Sequence, residues 1–261
     1  MAVAPDHAIF ATGASQITVK NTLSIIIPAY NEEKLLPATL KAVRESAAVF
    51  SEAGWDTEFI VCNNNSTDQT AAIAVAHGAM VVFESVNQIA RARNSGAAAA
   101  HGSWMLFVDA DSTPSRPLLA KVLNHIESGK VLAGGCLMEV DGPHSTINHL
   151  AKAWSLVSVT LKMMAGAFIF VEANAFREIG GFSTELYAGE ELDLSKKLKQ
   201  LARKRRLQIK IISYPKLITS GRKAHLYTPL EIAGFLARAI FRPRHVLKTR
   251  DQCAIWYDGR R

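Results

Sequence analysis

Two acidic pairs are the residues of this sequence best suited to chemistry. In the first pair, Asp109 and Asp111 flank one alanine directly after the apolar run 104–108. Two carboxylates with this spacing at the end of a buried strand can hold a hard divalent cation between protein and phosphate oxygens. The same pattern is typical of a turn, in which aspartate forms local hydrogen bonds. The neighbouring segments must decide between the two interpretations.

The second acidic pair is Glu190 and Glu191, at the start of a predicted helix over 190–203. A positioned carboxylate can take the proton from an attacking hydroxyl, which is the work of a general base. Asp193 offers a further carboxylate two residues later. Acidic residues in a first helical turn also offset the helix dipole, so a purely structural role stays open for Glu190 and Asp193.

The elements that must position these residues alternate regularly in the first half of the chain. Helices are predicted after residue 32, after a capping box at Ser66–Gln69, and over 88–100. Short apolar strands are predicted over 23–27, 58–62, 80–83 and 104–108. Apolar strands separated by helices predict an α/β fold with a mostly parallel central sheet and helices on both faces.

Ligands of such sheets bind beyond the carboxyl ends of the strands. This rule places 28–32, 63–67 and 109–112 on a common rim. In the second half, strands are predicted over 131–137, 167–171 and 207–212. With no linker and no internal repeat, residues 21–228 are expected to form one domain, 1–20 a loose extension and 229–261 a C-terminal helical segment of the same domain.

Net charge, cysteine spacing and apolar segments indicate which partners and which cellular setting this protein is expected to have. The formal net charge of +7 suits anionic partners. The run Arg203–Arg206 is more typical of a solvated helix end than of a binding patch, and no aromatic residues interleave with it, so nucleic acid is not expected. Three widely spaced cysteines favour a reducing, cytoplasmic setting. Ala153–Val171 approaches spanning length, but Lys162 near its centre disfavours insertion.

Six segments, in order along the chain, resemble family 2 glycosyltransferases. They are SIIIPAYNEE at 24–33, VCNNNSTDQT at 61–70, ARNSG at 92–96, FVDAD at 107–111, GGF at 180–182 and EELDL at 190–194. Their order and spacing make the resemblance far more specific than any single motif. It implies the GT-A nucleotide-diphosphosugar transferase fold and inverting transfer of a sugar from a UDP- or GDP-linked donor.

The resemblance also implies roles for the rim residues. Pro28, Tyr30 and Glu32 shape the pocket for base and ribose. Asn64 stands where relatives usually have an aspartate that accepts a hydrogen bond from the base; an amide oxygen still accepts, without charge. An alternative is that Asn63–Asn65 merely forms a turn. Pro28 and Tyr30 could likewise belong to a plain loop.

Further roles concern the metal and the transfer step. Asp111 is expected to bind Mn²⁺ or Mg²⁺, with Asp109 on the ribose or, through water, on the metal. Glu191 corresponds to the family's general base, where relatives have aspartate. Arg93 is expected to pair with a carboxylate or the diphosphate, unless it is an ordinary helix-surface arginine.

A later basic segment, SGRKAH at 220–225, resembles the one that closes over the donor diphosphate in relatives. Arg222 is the diphosphate candidate and His225 the third metal ligand. Residues 213–228 are expected to be mobile and to become ordered when donor and metal bind. The processive relatives' Gln-x-x-Arg-Trp motif is absent, which predicts single addition.

The acceptor is open: a saccharide, a lipid-linked or a small-molecule hydroxyl compound. Leu230–Phe241 could rest on an anionic membrane, which would make the protein peripheral on the inner membrane face, or could pack on the core. Two other functions compete. A sugar nucleotidyltransferase would carry a glycine-rich basic loop, whereas residues 29–33 are acidic and glycine-free. A non-catalytic nucleotide-sugar-binding protein would retain the site without turnover.

Overall fold

The structure is a computed structural model that describes residues 21–140, 159–164, 166–222 and 243–253, together with the single residues 234, 238 and 257. The expected N-terminal extension at 1–20 lies outside this range. Most of the predicted amphipathic segment Leu230–Phe241 does so as well.

Strands and helices alternate through the first half of the chain, as the sequence predicts. The elements, in chain order, are β1 (Thr22–Ala29), α1 (Leu36–Glu52), β2 (Asp56–Asn63), α2 (Thr70–Ala76), β3 (Met80–Phe83), α3 (Ile89–Ala98), β4 (Trp104–Val108), β5 (Ser112–Thr113), α4 (Arg116–Glu127), β6 (Val131–Val140), β7 (Phe168–Glu172), α5 (Ala173–Glu178), α6 (Glu190–Arg205), β8 (Gln208–Thr219), α7 (Pro243–Lys248) and a 3₁₀ helix (Arg250–Cys253).

Eight strands of the described residues form one sheet in the order β3-β2-β1-β4-β7-β6-β8-β5. β3, β2, β1 and β4 are parallel, and β6 is parallel to β8. β7 runs antiparallel to both of its neighbours, and β5 runs antiparallel to β8. The sheet is therefore mixed, and the predicted α/β fold is confirmed.

The apolar core lies on both faces of this sheet. One face packs against α1 and α4 through a cluster that includes Leu36, Leu40 and Leu119. The other face packs against α3, α5 and α6 through a cluster that includes Phe176 and Leu198. Because β1 is covered on both faces, its side chains from Leu23 to Ala29 are all buried and mostly aliphatic, without polar alternation.

The capping box predicted at Ser66–Gln69 is wrong. Helix α2 begins only at Thr70, without a capping side chain at Gln69. Ser66 Oγ instead accepts a hydrogen bond from the backbone N–H of Asn31 at 3.0 Å. Asp68 Oδ1 accepts one from the Thr70 amide at 2.9 Å. The loop after β1 thus competes with the helix for the serine hydroxyl, a contact that the local sequence does not reveal.

The second half of the chain departs further from prediction. Strand β8 extends to Thr219, so residues 213–219, expected to be mobile, lie in the sheet. β8 pairs with β6 through Val140 and with the short strand β5. Residues 223–228 lie outside the described range. Helices α4 and α5 were not predicted, although α4 has the apolar periodicity of an amphipathic helix.

None of the described helices has the length and apolar composition needed to cross a bilayer. The C-terminal end of the sequence segment Ala153–Val171 lies in strand β7, from Phe168 to Val171. In the C-terminal segment, Val246 of α7 and Cys253 of the 3₁₀ helix form a small apolar cluster with Ala188. Both helices lie within the segment 229–261, and most of the rest of that segment is outside the described residues.

A polar cluster fixes the amino ends of β1, β2 and β4. Glu58 Oε1 accepts hydrogen bonds from Ser24 Oγ at 2.5 Å, from the His101 amide at 2.7 Å and from the Gly102 amide at 3.2 Å. Burial alone would raise the pKa of Glu58, but these hydrogen bonds outweigh burial and hold the pKa below its ordinary value. A Cβ at Gly102 would lie 2.5 Å from Ser24 Oγ, so glycine permits the close approach.

Substitution Glu58→Gln is expected to lower the free energy of unfolding at neutral pH by about 1–2 kcal/mol, because charge-assisted hydrogen bonds are lost at a partly exposed position. A carboxylate with a depressed folded pKa stabilises above its unfolded pKa, and that stabilisation is lost as the pH falls through the folded pKa. The wild-type advantage should therefore shrink in acid. Urea unfolding at neutral and acidic pH measures it, with exposed Glu45→Gln as control; equal differences at both pH values would contradict the assignment.

A candidate nucleotide-sugar site

Strand register brings the predicted rim segments together. β1 and β2 pair in parallel, with Ala29 opposite Asn63, and β1 and β4 pair with Ile26 opposite Phe107. The loops that follow these three strands therefore start at the same edge of the sheet. Asp109 and Asp111, which follow β4, lie at this edge.

The first cavity opens at this edge. Its lining contains six of the residues that the sequence analysis assigned to donor or metal: Pro28, Tyr30, Glu32, Asn64, Asp109 and Asp111. The aromatic ring of Tyr30 and the amide of Asn64 are suited to a flat base, and the carboxylate of Glu32 is suited to a ribose. This cavity therefore lies on the rim that the sequence analysis predicts for the donor.

The two central asparagines of the rim have different environments. Asn63 Oδ1 accepts a hydrogen bond from the Ser66 amide at 2.9 Å, which is a turn contact. Asn64 Oδ1 accepts one from the Gln88 amide at 3.2 Å, and its Nδ2 donates to Asn87 Oδ1 at 3.4 Å. The turn interpretation thus describes Asn63, whereas Asn64 lines the cavity with its orientation fixed by the loop before α3.

A second, larger cavity of about 230 Å³ adjoins the first. It shares Ile89, Asp109 and Asp111 with the first and adds Arg93, Glu190, Glu191 and residues of the 187–189 and 219–220 segments. The acidic pair Asp109 and Asp111 therefore stands where the two cavities meet. Glu191 lies in the second cavity only, on the first turn of α6.

Arg93 connects three segments beneath the second cavity. Its Nη2 donates to Asp109 Oδ1 and to the Gly166 carbonyl, both at 2.9 Å, and its Nη1 donates to Glu190 Oε1 at 2.8 Å. The side chain is only 2% exposed. The alternative of an ordinary helix-surface arginine is wrong, because the side chain is buried and both terminal nitrogens donate to acceptors on other segments.

The two glutamates of the second cavity bind protons more tightly than free carboxyl groups. Burial, followed by the charge of Glu191, raises the pKa of Glu190 to about 8, although Arg93 opposes the shift. Burial likewise raises the pKa of Glu191, again opposed by Arg93. Glu190 is paired with Arg93, whereas Glu191 is partly exposed to the cavity. Of the two, Glu191 is placed to exchange a proton with a bound molecule.

Arg222 binds a rim carboxylate rather than standing alone. Its Nη1 and Nη2 donate to Glu32 Oε2 and Oε1 at 3.0 and 2.7 Å. Its Nη2 also lies 3.9 Å from Asp111 Oδ2. Strand β8 delivers it there, since the Ser220 amide donates to the Asp111 carbonyl at 3.0 Å. A cation is thus held beside both the first cavity and the acidic pair.

The described residues contain no group of three or more His, Cys, Asp and Glu side chains suited to a metal ion. Asp109 and Asp111 nevertheless supply two carboxylates at the junction of the cavities. Mg²⁺ is commonly bound through one or two carboxylates plus substrate phosphates, so the oxygen donors present fit such an ion. The expected third ligand, His225, lies outside the described residues.

Asp193, the alternative base, lines neither of these two cavities. Its carboxylate pairs with Lys197 at 2.8 Å on the surface of α6. The sequence analysis missed Asn87 and Tyr257, which both line the first cavity. Asn87 follows β3, whose carboxyl end shares the rim, so the strand rule could have found it. Tyr257, whose hydroxyl accepts from the Ile89 amide at 3.2 Å, carries no such signal.

The mixed sheet places Asp109 and Asp111 directly after β4, at the junction of two cavities, and glutamates of α6 line the second cavity. This arrangement agrees with the GT-A fold of nucleotide-sugar transferases, because ligands of such sheets bind beyond the carboxyl ends of the strands. The model of "Glycosyl transferase family 2" matches residues 24–173, more than half of the sequence. The chain belongs to this family.

Relatives agree with that membership. An uncharacterized glycosyltransferase of Mycobacterium tuberculosis is 31% identical over 140 residues, which are 52% of this chain and 60% of the relative. S. aureus TarS 1-349 in complex with UDP-GlcNAc has a TM-score of 0.60 at 18% identity, covering 91% of this chain and 71% of that one. Mannosyltransferase PcManGT from Pyrobaculum calidifontis, in complex with GDP-Man and Mn²⁺, has a TM-score of 0.58 at 21% identity, covering 92% and 70%. At these identities the two structures support the fold alone.

Proposed function

We propose that this chain transfers a sugar from a UDP- or GDP-sugar to an acceptor hydroxyl, with inversion, in a metal-dependent single addition. Residues 21–228 are the catalytic domain of this proposal. The observation that carries it is the order of groups along the joined cavities. Pro28, Tyr30 and Asn64 line one cavity, Asp109 and Asp111 stand at the junction, and Glu191 lines the other.

The parts of the proposed donor are assigned to the two cavities on either side of its diphosphate. The base and ribose occupy the first cavity, and the sugar points into the second. Asp109 and Asp111 would hold Mn²⁺ or Mg²⁺, which would neutralise charge that develops on the leaving diphosphate. Arg222, beside Asp111, provides a second positive group for the diphosphate. The complexes of the two structural neighbours with UDP-GlcNAc and with GDP-Man and Mn²⁺ support a donor of this class.

Glu191 is the proposed general base. Inverting transfer requires the acceptor hydroxyl to approach the sugar from the face opposite the diphosphate, while a base takes its proton. Glu191 lines the cavity beyond the acidic pair, and burial keeps its pKa raised, which makes its carboxylate a stronger base. Glu190 and Arg93 hold the start of α6 in place beneath it. The acceptor is a saccharide, a lipid-linked or a small-molecule hydroxyl compound.

The test is hydrolysis of a panel of UDP- and GDP-sugars by the purified protein, with and without Mn²⁺. Wild type is expected to release one nucleotide slowly and only with metal, and Asp111→Ala to release it at least about 10²-fold more slowly, because charge on the diphosphate is no longer offset. Asp56→Ala, at the amino end of β2, is the control and should match wild type. Donor binding without turnover, for any acceptor class, would favour a non-catalytic nucleotide-sugar-binding protein.

A further inference from the structure

A surface outside the two cavities combines exposed aliphatic side chains with lysine and arginine side chains. Val159 and Leu161 are 44% and 56% exposed. Large aliphatic side chains left in water beside one another mark an interaction site more often than isolated ones do. Lys162 follows directly and is also exposed.

Helix α6 provides the cations. Its buried face contains Leu194, Leu198 and Leu201, and its outward face carries Lys196, Lys199 and Arg203 at helical spacing. The sequence from 195 to 207 contains seven lysines and arginines and no acidic residue. A cationic end of a helix is ordinarily explained by the helix dipole. That explanation fits residues 203–206 but does not cover Lys196, which is exposed in the middle of the helix.

Two hydrogen bonds connect the segment that carries Val159 and Leu161 to helix α6. Lys199 Nζ donates to the Leu161 carbonyl at 2.9 Å, and the Met164 amide donates to Ser195 Oγ at 3.0 Å. Desolvation, followed by the nearby charge of Arg203, lowers the pKa of Lys199. By contrast, Arg205 turns away to Glu172 and Glu178.

We propose that Val159, Leu161, Lys196, Lys199 and Arg203 form a docking surface for an anionic lipid bilayer. We call these five residues the basic-aliphatic surface. Its charge complements a negative leaflet, and its aliphatic side chains can enter the boundary between headgroups and acyl chains. Lysine stems lie along such a boundary with the ammonium groups in water. A single-stranded nucleic acid would instead need aromatic side chains for stacking, and this surface contains none.

The surface is connected to the candidate site along the chain. Five residues after Leu161, the Gly166 carbonyl accepts the hydrogen bond from Arg93 and lines the second cavity. Helix α6 also carries both Glu191, which lines that cavity, and Lys196 of the basic-aliphatic surface. If the proposed function holds, an acceptor carried by that membrane could reach the cavity without leaving the surface.

The test is co-sedimentation of the purified full chain with phosphatidylcholine vesicles, with and without phosphatidylglycerol. Wild type is expected to bind the vesicles that contain phosphatidylglycerol and to be released by salt. The double variant Lys196→Gln/Arg203→Gln should bind about 25-fold more weakly, since each cation near an anionic surface strengthens binding about fivefold. Leu161→Ser should bind about tenfold more weakly, through lost aliphatic insertion.

The matched control is Lys34→Gln/Lys41→Gln. It removes the same charge at exposed positions in and before α1, on the opposite face of the sheet. This control should bind like wild type. Absence of vesicle binding by wild type, or equal loss in both double variants, would overturn the proposal, the second result by showing attraction to net charge alone. Donor hydrolysis by all variants should equal that of wild type, so failure of this proposal is separable from failure of the proposed function.

Discussion

Substitution Glu191→Gln is expected to lower the rate of sugar transfer by about 10²- to 10⁴-fold, which is the usual contribution of a positioned general base. The amide is close in shape to the carboxylate but cannot accept the proton from the acceptor hydroxyl. Donor KM should change much less than kcat, because the base and ribose of the proposed donor bind in the first cavity, which Glu191 does not line. The measurement is kcat and donor KM with the donor identified by the hydrolysis panel.

Two companion variants make the assignment specific. Asp193→Asn should keep its rate within a few-fold of wild type, because Asp193 pairs with Lys197 outside the two cavities. Glu191→Asp introduces the residue type that the family resemblance implies at this position and should retain part of the activity, limited by its shorter reach. A variant Asp193→Asn with a large loss, beside an active Glu191→Gln, would move the base to Asp193.

Substitution Arg93→Met is expected to lower the free energy of unfolding by about 3–5 kcal/mol, because it leaves the buried Glu190 and the partly exposed Asp109 without their cation. Glu190 and Asp109 both lose a hydrogen bond of 2.8–2.9 Å. Carboxyl groups with a raised folded pKa favour the folded state while protonated and lose that advantage as the pH rises. Since burial already raises the pKa of Glu190 to about 8, the deficit should grow from acidic to alkaline pH.

Chemical denaturation across this pH range is the measurement. Arg91→Met is the matched control, because Arg91 is an exposed arginine two residues earlier in α3. It should change stability by no more than about 0.5 kcal/mol. The double variant Arg93→Met/Glu190→Gln should recover part of the loss, since a neutral amide needs no cation. Equal stability of Arg93→Met and wild type would show that the ion pairs do not hold these segments together.

The first half of the fold followed from local sequence. Strands β1 to β4 are short apolar runs, and α1 has a clear helical period, so each element can be predicted from about ten consecutive residues. Parallel packing then aligned the ends of β1, β2 and β4, and the rim residues Pro28, Asn64 and Asp109 were found together. The second half did not follow in this way, because β8 gains its last residues from pairing with β5 and β6.

The identity of candidate site residues was readable, but their partners were not. The acidic pairs, Arg93 and Arg222 stood out by type and spacing. The carboxylate partner of each guanidinium is set by contacts between distant parts of the chain. Arg93 and Glu190 are 97 residues apart in the sequence, and Arg222 and Glu32 are 190 residues apart. No local pattern encodes such distances, because loop closure links these segments only after the sheet forms.

The sequence by itself determined the family, the α/β alternation and the side chains available for chemistry, since these depend on residue type and short-range spacing. Only the tertiary structure decided that Arg93 lies buried between Asp109 and Glu190, that Glu191 lines a cavity while Asp193 does not, and that Leu161 lies against Lys199. The physical reason is that burial and charge pairing are properties of assembled segments. A side chain acquires its pKa and its accessible face from neighbours that are distant in the chain.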